Sequence, residues 1–172
     1  MHSAISMEMA APPATVFDLA GDVSHWAHLL PHYRRSRVLV QRGPRALVQF
    51  VAVRRFGPLP VPVTWRAVCW RDGSDPADLR MFFVHVRGVT RGMRVTWHIR
   101  PLPGDAARTQ VTIEHEFRRP LPLLGPEALP RAIDRFFTVP IATRTLRRFR
   151  ALAEEQAALR DPRDTSATKE IA

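Results

Sequence analysis

The chain has 172 residues, 45% hydrophobic and 24% charged, with a formal net charge of +10. That composition is globular, and the length fits one domain with a normal core. No apolar run approaches the roughly 18 residues of a membrane span, residues 1–9 lack the pattern of a signal peptide, and a lone cysteine, Cys69, excludes an internal disulfide and a cysteine-rich metal site. A cytoplasmic protein is therefore expected. The positive charge would attract nucleic acid, anionic lipid or acidic protein. Lys169 is the only lysine, however, and such an arginine skew often reflects genome composition.

Residues 2–9 alternate polar and apolar, with Ile5, Met7 and Met9 on one face, as in a half-buried strand. Pro12-Pro13 stops that strand and opens a helix, Pro13 to Ala20, whose buried side carries Val16, Phe17 and Ala20. Gly21 ends it. Asp22 or Ser24 can cap a second short helix with Val23, Trp26 and Leu29/Leu30, which Pro31 closes.

From Arg34 the period changes to two. Strands are predicted at Arg37–Gln41, Arg45–Phe56, Val63–Arg71, Leu79–Arg87, Gly92–Leu102 and Arg108–Arg118. Turns are marked by Arg42-Gly43-Pro44, Asp72-Gly73-Ser74-Asp75-Pro76 and Pro103-Gly104-Asp105. Pro58, Pro60 and Pro62 point to an irregular or edge segment before the third of these strands, and Arg119–Gly125 reads as a loop.

Glu127 to Leu159 then reads as one long amphipathic helix. Leu129, Ile133, Phe136, Val139, Ala142, Leu146, Phe149 and Ala153 recur at helical spacing. Pro140 interrupts it at a cost of about 3 kcal/mol in a regular helix. A kink near Phe136–Pro140, or a second helix starting there, is expected. The order is thus β-α-α, six consecutive antiparallel strands, and a long helix, in a single domain over residues 1–160. Residues 161–172 read as a disordered tail.

A sheet of this kind needs one face covered, and only the long helix is large enough. The apolar sets facing it are Met93, Val95, Trp97 and Ile99, and Val111, Ile113, His115 and Phe117. On the preceding strand, Phe82, Val84 and Val86 are favoured over Met81, Phe83 and His85. Side chains this rich in Trp, Met and Phe either fill a solid core or line a pocket for a flat apolar ligand.

Candidate chemistry is sparse. His25, His28 and His32 have the spacing of one helical face, but Pro31 breaks that geometry and no fourth metal ligand is evident. No metal or cofactor is expected. His115 is either a hydrogen-bonded core histidine or a proton-transfer group. The Arg144, Arg147, Arg148, Arg150 group is a solvated helix face or a phosphate-binding surface. Tyr33, the only tyrosine, could orient a ligand or pass a proton if it turns inward. No nucleophile elbow or phosphate loop is present in the sequence.

The chain resembles the START-like (SRPBCC), or helix-grip, superfamily over about residues 3–157, specifically its polyketide cyclase/dehydrase and coenzyme Q-binding branches. The resemblance rests on Ala11-Pro12-Pro13-Ala14-Thr15-Val16-Phe17, on Asp22-Val23-Ser24-His25-Trp26 with Leu29-Leu30-Pro31, on Gly88 to Trp97, on the Pro-Leu-Pro-Gly-Asp turn at 101–105, and on Thr109–Phe117. It implies an α+β fold like that of the birch-pollen allergen: a curved antiparallel sheet around a C-terminal helix, with an internal cavity. In the aromatase/cyclase branch that cavity folds and dehydrates a poly-β-ketone tethered to an acyl carrier protein.

Tyr33 and His115, and by that resemblance Arg71, are the candidate catalytic residues. Trp26, Trp65, Phe82, Val84, Met93, Val95, Trp97, Ile113, Phe117 and Phe136 are the candidate ligand-binding residues. Arg71 would match one arginine of the cyclase pocket. Val84 stands where another is expected, so the resemblance supports ligand binding more fully than cyclase chemistry. A lipid or quinone carrier is the alternative. A ribosome- or RNA-associated role, known in one bacterial branch, would use the basic helix face.

Overall fold

The computed structural model describes residues 1–118 and 128–160. Strand β1 (His2–Met9) leads into α1 (Pro13–Gly21), a 3-10 turn (Val23–His25) and α2 (Trp26–Leu29). Six strands follow: β2 (Tyr33–Arg42), β3 (Arg45–Phe56), β4 (Leu59–Asp72), β5 (Leu79–Gly88), β6 (Arg94–Leu102) and β7 (Asp105–Glu116). The C-terminal part comprises α3 (Ala128–Ile133), a π-helical turn (Asp134–Thr138) and α4 (Val139–Arg160). The expected loop at 119–125, the helix start at Glu127 and the tail at 161–172 lie outside the described residues.

The strands form one seven-stranded antiparallel sheet, β1-β7-β6-β5-β4-β3-β2. Five tight connections make the meander, because sequential strands joined by short turns pair with their neighbours. β1 is the exception: it returns to pair with β7, from His2 opposite Glu116 to Met9 opposite Thr109. The fold is α+β helix-grip, with a concave sheet face closed by the long C-terminal helix.

Alternation sets which side chains enter the core. On β3, Ala46, Val48, Phe50 and Ala52 are buried; on β4, Val63, Trp65, Ala67 and Cys69. Met93, Val95, Trp97 and Ile99 face inward, as do Val111, Ile113, His115 and Phe117. On β5 the structure reverses the expected face. Met81 and Phe83 are buried, while Val86 is 41% exposed. Phe82 lies on the outer face, stacked on Trp70 with ring centroids 4.9 Å apart, and Arg45 covers Trp70. Val84 shares that outer parity. Both alternating sets of β5 are apolar, so hydrophobicity alone could not choose between them. The outer set is apolar because it builds a second, small aromatic stack.

β4 begins earlier than predicted. Pro60 and Pro62 pair with Arg55 and Val53 of β3. β5 meets β4 only from Trp65, opposite Gly88. Among the described residues the other flank of 59–64 therefore has no strand partner, and the missing proline donors cost no ladder bond there.

The break at Pro140 takes a specific form. Proline cannot donate to the carbonyl four residues back, which is that of Phe136. The preceding turn widens to π register, with the Val139 N–H bonding to the Asp134 carbonyl. The freed Phe136 carbonyl accepts instead from Arg54 Nε at 3.1 Å, on β3. Ser3 Oγ donates to Asp134 Oδ1 at 2.8 Å. The turn is thus tied to both β1 and β3. Beyond it the expected stripe holds: Ala142, Leu146, Phe149 and Ala153 are buried.

Candidate functional site

A cavity of about 80 Å³ lies between the concave sheet face and residues 137–145 of the C-terminal helix. Its floor is Trp26, fixed where α2 meets the sheet. The indole N–H donates to the Ala20 carbonyl at 2.8 Å. The ring lies 5.5 to 5.8 Å from those of Tyr33, Phe50, Phe83, Trp97 and Phe149. One wall is a ladder of flat side chains: Phe50 stacks on Trp65 at 5.3 Å, and Trp65 on His85 at 5.8 Å. Ile113 and His115 of β7 and Val95 and Trp97 of β6 make the opposite wall; Phe137, Thr138, Ile141, Ala142 and Thr145 make the roof.

The polar groups in this apolar space are Tyr33, His85, Thr90, His115, Thr138 and Thr145. His85 Nδ1 is 2.7 Å from Thr90 Oγ1. Burial, with a smaller contribution from His115, pushes its pKa down to about 3. His115 Nδ1 is buried with no hydrogen-bond partner among the described residues. Burial, then the charge of His2, holds His115 at about 4. Both imidazoles are neutral near pH 7, able to accept a proton but not charged. Burial raises the Tyr33 phenol, against an opposing hydrogen bond from Thr145, so Tyr33 stays protonated. Behind it, His32 Nε2 meets Thr145 Oγ1 at 3.0 Å. Burial and Arg144 lower His32 to about 4.

Of the predicted residues, Trp26, Tyr33, Trp65, Met93, Val95, Trp97, Ile113 and His115 line the cavity. Phe82 and Val84 do not, being on the outer face of β5; Phe83 and His85 take their places. Phe117 is fully buried in the core without lining the space. Phe136 is 46% exposed, and Phe137 lines the roof instead. The π turn inserts an extra residue, which rotates the inward position by one.

Arg71 has the inward parity of β4 but lies six residues beyond Trp65, about 20 Å along a strand. There it packs against Gly21 and over the Phe17 ring at 5.1 Å, and pairs with Asp18 at 3.7 Å. It braces α1 rather than reaching the cavity. The histidines at 25, 28 and 32 also separate. His25 Nδ1 bonds to Asp22 at 2.6 Å, while His32 turns into the core. Among the described residues no cluster of His, Cys, Asp or Glu could hold a metal ion. Sequence reasoning missed Phe50, Phe83, His85, Thr90 and Thr145. Only Phe83 and His85 carried a signal, as members of the β5 set that was not favoured.

Comparison with known proteins follows the same outline. No curated protein matches the chain. A protein of Thermus thermophilus superposes with a TM-score of 0.69 at 20% identity, over 94% of this chain and 99% of that one. The Zhui aromatase/cyclase of Streptomyces sp. R1128 gives 0.68 at 21% identity, over 91% and 94%. A START superfamily protein of Mycobacterium smegmatis gives 0.60 at 13%, over 92% and 97%. At these identities the likeness speaks to the fold. The family model described as polyketide cyclase/dehydrase and lipid transport matches residues 2–154. The chain belongs to that family.

Proposed function

We propose that the protein binds a flat, apolar, ring-bearing small molecule, polyketide-like or isoprenoid, between the aromatic ladder and the helix roof. The carrying observation is the cavity itself: stacked aromatic walls with a few neutral polar groups, the usual make-up of a small-molecule site. Its about 80 Å³ is well below the roughly 300 Å³ at which such sites begin. A ligand of two or more rings therefore enters by displacing the roof at Phe137–Ala142, next to the π turn.

The test is a fluorescence titration with 1-naphthol, read from the buried tryptophans. Saturable binding is expected, and Ala142→Trp, which fills the space from the roof, should abolish it while far-UV circular dichroism is unchanged. Absent binding, or binding indifferent to Ala142→Trp, would overturn the site.

The cyclase reading adds chemistry to the same site. Tyr33 would donate a hydrogen bond to a ketone oxygen of a poly-β-ketone. The unpartnered Nδ1 of His115 would take a proton from the acidic carbon between two carbonyls, letting that carbon attack the polarised ketone. Arg71 has no part in this reading, since it lies outside the cavity. An acyl carrier protein would present the substrate. Incubation of Tyr33→Phe with a poly-β-ketone thioester should yield no ring product. Unchanged product would remove the catalytic role and leave a lipid or quinone carrier. An RNA-associated role would instead use the helix face of Arg144, Arg147, Arg148 and Arg150, where Arg150 pairs with Glu154 and Arg148 donates to the Leu29 carbonyl; salt-sensitive RNA binding lost on charge reversal at Arg147 and Arg148 would be its test.

A further inference from the structure

Behind the wall formed by His32, Tyr33 and Thr145 the surface holds a separate concavity, about 250 Å³ in volume. Arg34, Arg55 and Arg144 line it together with His32, framed by Pro31 and Pro60. Three elements supply the arginines: the start of β2, the end of β3 and the first turns of α4. Among the described residues no carboxylate lines the groove. Some arginines have acidic partners, among them Arg100 with Asp78, Arg108 with Glu8 and Arg150 with Glu154. None of the three groove arginines is ion-paired among the described residues. An arginine-rich composition explains many arginines. It does not explain why these three converge on one concavity without a counter-charge among the described residues.

We propose that this groove is a binding site for a phosphate group, free or as an ester. A guanidinium presents planar paired donors that fit phosphate oxygens, and it remains charged at every accessible pH. Three such forks exceed what the two oxygens of a carboxylate can satisfy. A phosphate offers three or more acceptor oxygens and up to two negative charges. The two prolines hold the groove's rim without backbone donors of their own, leaving recognition to the side chains.

The site also reports inward. His32 lines the groove on one side and touches the Thr145 hydroxyl on the other. Thr145 in turn supports the Tyr33 phenol. The groups facing His32 are therefore Arg144, Arg34 and Arg55 from the groove and Tyr33 and Thr145 from the cavity. An anion that neutralises Arg144 removes part of what keeps His32 unprotonated. Phosphate in the groove and proton affinity at the cavity wall are then linked.

The test follows the His32 ring proton by NMR while sodium phosphate replaces sodium chloride at constant pH and ionic strength. A saturable shift is expected, with the His32 titration midpoint rising as phosphate binds. Arg34→Gln and Arg55→Gln should each weaken phosphate binding roughly tenfold. Arg150→Gln, which breaks only the pair with Glu154, should leave it unchanged. A shift that does not saturate, or that chloride reproduces, overturns the proposal. So does an equal loss in Arg150→Gln.

Sedimentation with vesicles of phosphatidylcholine and phosphatidylglycerol then separates the sources. Vesicle binding displaced by free phosphate and lost in Arg55→Gln assigns a lipid headgroup. Phosphate binding without vesicle binding assigns a soluble phosphate or phosphate ester.

Discussion

Lowering the pH from about 7 to about 5.5 is expected to cost the folded protein about 4 kcal/mol. The perturbation acts on His32, His85 and His115, whose pKa values fall from an ordinary 6.5 to about 4, 3 and 4. The fold holds each imidazole neutral, whereas the unfolded chain takes up a proton as the pH drops through 6.5. Stability is therefore complete above 6.5 and is lost progressively below it, levelling off only near the folded values. Each histidine contributes about 1.4 kcal/mol per pH unit inside that window. One unit below 6.5, three of them sum to about 4 kcal/mol, a large share of the roughly 5–15 kcal/mol typical of a domain. Carboxylates with lowered pKa, such as Asp22 and Asp78, respond only below the ordinary 3.8, so this interval isolates the histidines. Urea unfolding followed by tryptophan fluorescence at the two pH values gives the difference directly. The double variant His85→Phe/Thr90→Val removes a hydrogen-bonded pair together, leaving neither partner orphaned, and should shrink the loss by about a third. A loss below about 1 kcal/mol in the parent protein would refute the burial argument.

Gly88 has φ +102, and a Cβ there would sit 2.5 Å from the Thr64 carbonyl. Gly88→Ala should therefore cost about 3 kcal/mol or more, visible as a lowered Tm; an unchanged Tm would contradict the close approach. Arg54→Met leaves the Phe136 carbonyl without its donor and should cost about 1 kcal/mol. Hydrogen exchange should quicken at 134–142 alone, and a uniform change over the sheet would count against a local tie. Burial pushes the Cys69 thiol up, so iodoacetamide at about pH 8 should label it orders of magnitude more slowly in the native protein than in urea. Comparable rates would show that the interior is open to the reagent.

The fold was legible because its periods are clean. The strands β3, β4, β6 and β7 alternate, each turn carries its Gly, Pro or Asp, and the stripe from Ala142 to Ala153 keeps helical spacing. The cavity was less so, for three separate reasons. On β5 both faces are apolar, which hides the inward set, and with it His85. At Phe136 the expected spacing fails because the π turn adds a residue, and a period of 3.6 cannot anticipate that. At Arg71 the face was right and the depth wrong: alternation tells side from side but not how far along the strand a residue lies. His32 and Thr145 meet across 113 positions of sequence, a distance over which no local pattern carries information.

The widened turn before Pro140 also means that the identity of the cavity roof is stored in hydrogen-bond bookkeeping rather than in the roof residues. Restoring the missing donor with Pro140→Ala would let the Phe136 carbonyl be satisfied within the helix, and the turn could tighten to ordinary pitch. Phe136 would then swing toward the ligand and Phe137 away, with every lining residue unaltered. A cysteine placed at position 136 would register the change, becoming shielded from a thiol reagent in the Pro140→Ala background and staying reactive beside proline. Relatives differing at this one position would thus offer their ligands different ceilings, so selectivity in this fold can drift through a backbone substitution that never touches the bound molecule.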